Sequence, residues 1–146
     1  TNRGVSHMSQ TLAIIKPDAI ASGKAGAILT HLEREGFRVR SLKMTRLNRA
    51  QAEAFYGVHR TRPFFESLVS FMTSGPVVPM VLEANGAVQR LREMIGATDP
   101  VESAEGTIRS LFAESTERNA IHASDSDATA AREIAFFFSE SALLEL

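Results

Sequence analysis

The chain has 146 residues, 44% apolar and 23% charged, an ordinary soluble balance with enough length to bury a core unaided. It contains no cysteine, which excludes structural disulfides, zinc–thiolate centres and cysteine nucleophiles. The 16 Lys and Arg against 17 Asp and Glu leave a formal charge of −1, so nothing electrostatic argues for nucleic acid as the main partner. No apolar run approaches the roughly 20 residues that a membrane-spanning helix requires. Residues 1–8 have no apolar h-region and do not read as a signal peptide. Their Ser6-His7-Met8 ending reads as a cloning scar ahead of a native start at Met8, leaving 9–146 as a single domain with a cytoplasmic default.

Thr11-Leu12-Ala13-Ile14-Ile15 is almost wholly apolar and predicts a buried strand. Pro17 stops it, because proline cannot donate to a central ladder, and Lys16 is left at its end as a solvated cap or part of a site. Ser22 to Gly26 imitates a phosphate-binding P-loop. Aligned on Gly23-Lys24, however, Asp18 falls where the first glycine belongs and Ala25 where the hydroxyl belongs, and an aspartate has the wrong sign for a phosphate cradle. From Gly26 to about Glu35, Ile28, Leu29 and Leu32 share a helical face, with Gly36 as the C′ residue. Phe37 to Arg40 alternates as a half-exposed strand. The apolar phase slips by one at Leu42 and Met44, which predicts a bulge near Ser41. Asn48-x-x-Gln51 is a capping-box signature for a helix from Arg49 to about Val58. A polar turn then leads to a helix carrying Phe65, Leu68, Val69 and Met72. Phe64, beside Pro63, is either core or an exposed stacking platform.

Ser74-Gly75-Pro76 turns the chain into Val77 to Glu83, a β-rich run read as a buried strand with Pro79 at an edge or bulge. Asn85 is expected to open a helix with Val88, Leu91 and Ile95 on one face, closed by Gly96 and with Arg92 beside that face. Gly106 to Arg109 sets a second arginine beside a turn, and a further strand is expected between Ile108 and Ile121. Asn119 to Ser126 then packs an imidazole, an amide, two hydroxyls and a carboxylate ahead of the last long helix, Asp127 to about Phe138. Ala130, Ala131, Ile134, Ala135 and Phe138 are expected to face the core there, with Glu133 beside them. The stretch before it is either a loop whose Ser124, Asp125 and Ser126 compete to cap the helix, or a site. A neutral imidazole carries a nucleophilic lone pair, so His122 can act as a nucleophile, with Glu133 to orient it. The class is α+β: an antiparallel sheet with helices on one face, for which a ferredoxin-like βαββαβ core fits.

Polar residues collect at the predicted element ends: Lys16, Tyr56, Arg62, Arg92, Thr98, Arg109, Asn119, His122 and Glu133. Arginine forks match phosphate oxygens, and phosphoryl transfer asks for little beyond alignment and charge neutralisation. Such a set suits a polyphosphate pocket around a phosphoryl-accepting nucleophile, with Mg²⁺ carried by the phosphates. Five stretches in register resemble the nucleoside diphosphate kinase family, and the likeness runs from Thr11 to about Phe138. They are Ile15-Lys16-Pro17-Asp18, Arg62-Pro63-Phe64-Phe65, Ser74-Gly75-Pro76-Val77-Val78, Gly106-Thr107-Ile108-Arg109 and Asn119-x-x-His122-x-Ser124-Asp125-Ser126, followed by Glu133-Ile134.

That resemblance implies a ferredoxin-like sandwich with added C-terminal helices. It also implies ping-pong transfer of the γ-phosphoryl group from a nucleoside triphosphate to a nucleoside diphosphate. His122 would carry the phosphoryl group, oriented by Glu133 and Ser124, with Tyr56 close by. Arg92, Thr98 and Arg109 would hold the phosphates, and Lys16 and Asn119 the sugar hydroxyls, Lys16 also reaching phosphate. Phe64 would stack on the base, with Leu68 and Thr116 beside it. Mg²⁺ would arrive with the nucleotide, no side chain being its ligand, and the chain would assemble into a hexamer or a tetramer, either built from dimers. Four positions depart from the family's habit: Thr116, usually aliphatic; Ala123, commonly glycine; and Ser110-Leu111, where Gly-Asp or Lys-Asp is commoner. A catalytically silent nucleotide-binding or scaffold module on the same fold is the alternative.

Overall fold

A computed structural model of the chain describes residues 8–144, so the cloning-scar reading falls, but for Met8, outside the described residues. The strand at its centre is β1 (Met8–Ile15), and Leu12, Ala13, Ile14 and Ile15 are all fully buried. An unbroken apolar run of this kind belongs to a strand covered on both faces. β1 pairs antiparallel with β3 (Val78–Asn85) on one side and with β4 (Ile121–Ala123) on the other, while β2 (Arg38–Leu42) lies outside β3, giving the order β2-β3-β1-β4. Helices α1 (Pro17–Ala21) and α2 (Ala25–Arg34) link β1 to β2, and α5 (Ala87–Ile95) and α6 (Ile108–Phe112) link β3 to β4. This is the βαββαβ connectivity, with α3 (Arg49–Phe55) and α4 (Phe65–Met72) inserted between β2 and β3, and α7 (Asp127–Phe137) and α8 (Glu140–Leu144) appended.

Helices cover both faces of the sheet rather than one. Ala13, Ile15, Met80, Leu82 and Ile121 pack with Ile28 and Leu32 of α2 and Leu91 and Ile95 of α5. On the opposite face Leu12, Ile14 and Val81 pack with Phe55 of α3, Val69 and Met72 of α4 and Phe137 of α7. The doubly apolar β1 demanded this second layer, because half of its side chains would otherwise face water.

Several elements match their sequence signals. Asn48 and Gln51 form the reciprocal capping box of α3, and the ladder between β2 and β3 shifts register between Val39 and Ser41. Others do not. α3 stops at Phe55, and a 3₁₀ turn, Gly57–His59, follows. Pro79 lies in an interior strand. Its carbonyl accepts from Lys43 N–H on the β2 side, so its missing N–H also points there, just past the last ladder pair, Leu42 with Met80. Asn85 ends β3 instead of opening a helix. Gly86, at φ 58, is the N-cap of α5, and Ser9 Oγ accepts from Ala87 N–H. The region from 108 begins as helix α6, and the fourth strand is Ile121–Ala123, so His122 sits on a strand rather than in a loop. On α7 the buried set is Ala130, Glu133 and Phe137, with Ala131 and Ala135 exposed, so Glu133 belongs to the inward stripe. An acid there breaks the apolar pattern that sequence periodicity relies on. Among the described residues no helix is long and apolar enough to cross a membrane.

Candidate active site

β1, β4 and α7 converge on His122. Side chains alternate along β4, so Ile121 and Ala123 enter the core beneath α2 and α5 while His122, opposite Ile14, faces α3 and α7. Its Nε2 lies 2.8 Å from Glu133 Oε1, and Ser124 Oγ donates to the same oxygen at 2.6 Å. Ser124 and Glu133 are buried, whereas His122 keeps 19% of its side chain exposed. A carboxylate accepts and does not donate, so Nε2 carries the hydrogen of this pair and Nδ1 keeps a lone pair. The rings of Phe55 and Tyr56 stand edge-on to the imidazole at 5.4 and 6.0 Å between centroids, which limits its tilt. The Tyr56 hydroxyl is buried and has no hydrogen-bond partner among the described residues. Burial, with Glu133 adding to it, pushes its pKa well above the usual phenol range, so the hydroxyl stays a neutral donor. A buried donor that lines a cleft and lacks an acceptor suits an incoming oxygen.

Cations form the next wall. Lys16, at the junction of β1 and α1, donates from Nζ to Asn119 Oδ1 at 2.8 Å, and Asn119 Nδ2 donates to the Thr98 carbonyl at 3.1 Å. Burial first, then Arg109, lower the Lys16 pKa to about 8, against the opposing pull of Asp18 and Glu117. Thr107 caps α6 by accepting from Ser110 N–H, which fixes the turn that carries Arg109. The Arg109 guanidinium donates to the carbonyls of Gly96 at 3.2 Å and Ile121 at 2.8 Å, and burial together with Arg92 lowers its pKa to about 10. Arg92, in the last turn of α5, reaches the Ala123 carbonyl at 3.5 Å. Among the described residues none of these three cations is ion-paired to a carboxylate. Buried guanidinium left without a counter-charge favours an anionic ligand.

These groups open on one cleft of about 800 Å³, a volume ordinary for a cofactor-sized ligand. Lys16, Arg92, Thr98, Arg109, Asn119 and His122 line it together with Phe64, Leu68 and Thr116, and Tyr56 and Glu133 border the histidine. Phe64 is 47% exposed, its ring 5.4 Å from that of His59, so it is the exposed alternative and not part of the core. Of the expected residues only Ser124 is set back from the cleft, behind Glu133, and Arg62 of the wider polar set is exposed outside it. Ala123 keeps a negative φ, so the loss of glycine there strains nothing. Ser110 lies inside α6, its hydroxyl donating to the Thr107 carbonyl, and Leu111 is exposed. Two further residues escaped the sequence reading. Arg132 lines the cleft and donates to the carbonyls of Ala54 and Phe55, tying α7 to the end of α3. Asp18 accepts from Ala120 N–H, 102 residues away. Both partners are distant main-chain groups, which leave no mark in local sequence.

A profile of the nucleoside diphosphate kinase family matches residues 9–143. The chain is 55% identical over 133 residues to a nucleoside diphosphate kinase of Psychromonas ingrahamii, covering 91% of this chain and 92% of that protein. It is 53% identical over 137 residues to one from Chlamydia felis, covering 94% and 97%. Among solved structures, the nucleoside diphosphate kinase of Aquifex aeolicus superposes with a TM-score of 0.90 at 48% identity, over 92% of this chain and 98% of that one. That of Halobacterium salinarum, in complex with CDP, gives 0.90 at 39% identity, over 93% and 91%.

Proposed function

This chain belongs to the nucleoside diphosphate kinase family, and from that premise we propose how its cleft carries out phosphoryl transfer between nucleotides. The observation that carries the reading is the buried Ser124–Glu133–His122 chain standing at the foot of a cleft walled by unpaired cations. Glu133 fixes Nε2–H, so Nδ1 is the attacking atom. Nδ1 forms a bond to the γ-phosphorus of a nucleoside triphosphate while the bond from that phosphorus to the β–γ bridging oxygen breaks, and the diphosphate departs. The imidazole is then a positively charged N-phosphoryl group, and Glu133 offsets that charge. A second nucleoside diphosphate enters and its terminal oxygen takes the phosphoryl group, returning His122 to its first state.

Arg92, Arg109 and the Thr98 segment neutralise the equatorial oxygens, the main demand of a loose phosphoryl transition state. Tyr56 O–H supplies a donor beside the histidine. Lys16 and Asn119, already bonded to each other, hold the sugar hydroxyls, with Lys16 also within reach of phosphate. Phe64 stacks on the base, and Leu68 and Thr116 flank it. A π-face is common to every base, so stacking gives broad acceptance. The family's reaction requires a divalent cation. We take it to be Mg²⁺ arriving on the nucleotide's phosphates as part of the substrate.

We further propose that residues 9–146 form one domain, that the protein is cytoplasmic, and that it is a homo-oligomer of four or six chains. Leu42, 45% exposed, and Met44, 62% exposed, lie on the outer-edge side of the sheet and support an assembly of copies.

The test is to incubate the protein with γ-labelled ATP and Mg²⁺ and no acceptor. The expected result is protein-bound label that is acid-labile and alkali-stable, absent from His122→Ala and discharged by any nucleoside diphosphate. Nucleotide binding without label would refute the relay and favour the silent binding module.

A further inference from the structure

Two residues before His122 the backbone takes an unfavourable bend. Ala120 has φ 76, the only positive value at a non-glycine position among the described residues, and its side chain is fully buried. Ile121 N–H donates to the Asn119 carbonyl at 2.9 Å across it, closing a γ-turn of the rare, strained hand. Such a conformation persists only where the surroundings over-determine it. Here both polar groups of Ala120 are held by the junction of β1 and α1. Lys16 N–H donates to the Ala120 carbonyl at 2.9 Å, and Ala120 N–H donates to Asp18 Oδ2 at 3.1 Å.

Asp18 is an odd choice if stability were its purpose. It is 2% exposed, and its other oxygen, Oδ1, has no hydrogen-bond partner among the described residues. Burial pushes its pKa up, opposed by Lys16 and by the backbone N–H groups beside it. A buried carboxylate is costly to keep, and beside its own helix's first N–H groups the hydrogen bond of its Oδ2 reaches a residue 102 positions away. That bond lands on the turn that separates two site residues. Asn119 immediately precedes the turn and holds Lys16 Nζ, while His122 follows it on β4. Directions alternate along a strand, so relaxing the turn rotates whatever comes after it, and His122 is the side chain that must face the cleft.

We propose that Asp18 is a positioning residue for phosphoryl transfer. Its Oδ2 holds the Ala120 γ-turn, and the turn sets the Asn119 amide and the His122 imidazole in register with Lys16. Asp18 acts through the backbone and is not among the residues lining the cleft. The inference rests on the reading of His122 as phosphoryl acceptor.

The experiment compares the full chain with Asp18→Ala, Asp18→Asn and the double variant Asp18→Ala/Ala120→Gly. The readout is the rate of phosphohistidine formation from saturating Mg-ATP without acceptor, by rapid quench, with thermal melting alongside. Asp18→Ala is expected to slow labelling by about tenfold or more, since small displacements of reacting groups are expensive in rate. Asp18→Asn keeps a carbonyl acceptor and is expected to stay within about threefold of the parent. Ala120→Gly in the Asp18→Ala background is expected to restore most of the rate, because glycine adopts φ near 76 without a steric penalty. A general packing role would not be relieved by that change. Parental labelling in Asp18→Ala, a loss in Asp18→Asn equal to that in Asp18→Ala, or a folded double variant no faster than Asp18→Ala would each overturn the proposal. Should Asp18→Ala fail to fold, a double variant that folds and takes label within about threefold of the parental rate upholds it, and one that folds without that rate, or fails to fold, overturns it. A parental chain that takes no label refutes the reading of His122 and this inference with it, whereas a labelled parent with unaffected Asp18→Ala refutes this inference alone.

Discussion

Lys16 illustrates how burial sets chemistry at the scale of one residue. Its ammonium is held down to about 8 by desolvation and by Arg109, although Asp18 and Glu117 pull the other way. In the free enzyme the cleft therefore loses one cation as the pH rises through about 8. The specificity constant kcat/KM reports free-enzyme groups, and it is expected to fall along an alkaline limb near that value. Lys16→Arg, whose charge persists, is expected to lose that limb whatever its activity at neutral pH, and a pH series of initial rates would check it. Stability moves in the opposite sense. Between about 8 and the ordinary 10.5 the unfolded chain binds more protons at this position than the folded one. Linkage then makes Lys16 raise folding stability with pH across that window, and Lys16→Met is expected to flatten the rise in urea titrations. Residue types announced this chemistry in the sequence, but the shift did not, because a lysine's pKa depends on what buries it.

Among the elements, α6 shows how a site can hang on a turn. Gly96 closes α5 at φ 92, and its carbonyl accepts from Arg109. A Cβ at position 96 would stand 2.6 Å from Thr107 Oγ1 and 2.9 Å from both Thr107 Cβ and Ser103 Oγ. Gly96→Ala therefore combines an unfavourable φ with a clash against the residue that caps α6. It is expected to cost about 2 kcal/mol or more of stability in urea unfolding, and to raise KM for nucleotide as Arg109 shifts. Element boundaries were legible wherever a local signal was strong: the Asn48 capping box, the slip near Ser41, the closure at Gly96. They failed where tertiary contacts chose. β4 has only three residues, and its pairing with Ala13, Ile14 and Ile15 made a strand of what reads locally as a loop. Pro79 entered an interior strand because β2 ends beside it.

For the whole molecule, the two-sided sheet brings the site together. One face buries α2 and α5, the other α3, α4 and α7, and the cleft collects side chains from the ends of β1, α3, α5, α6 and β4. If the proposed assembly is right, sedimentation equilibrium is expected to return the mass of four or six chains, and a monomer mass at assay concentration would refute it. Local sequence determined a good deal of this protein: the absence of cysteine chemistry, the buried strand β1, most helices, and the polar set whose motifs name the family. Those properties follow from side-chain type and from periodicity along neighbouring residues. Only the tertiary structure decided that the second face is covered, that Glu133 points inward to Nε2 of His122, and that Asp18 grips Ala120 from 102 positions away. Each depends on which distant group fills the space beside a residue, and spacing along the chain carries no record of that.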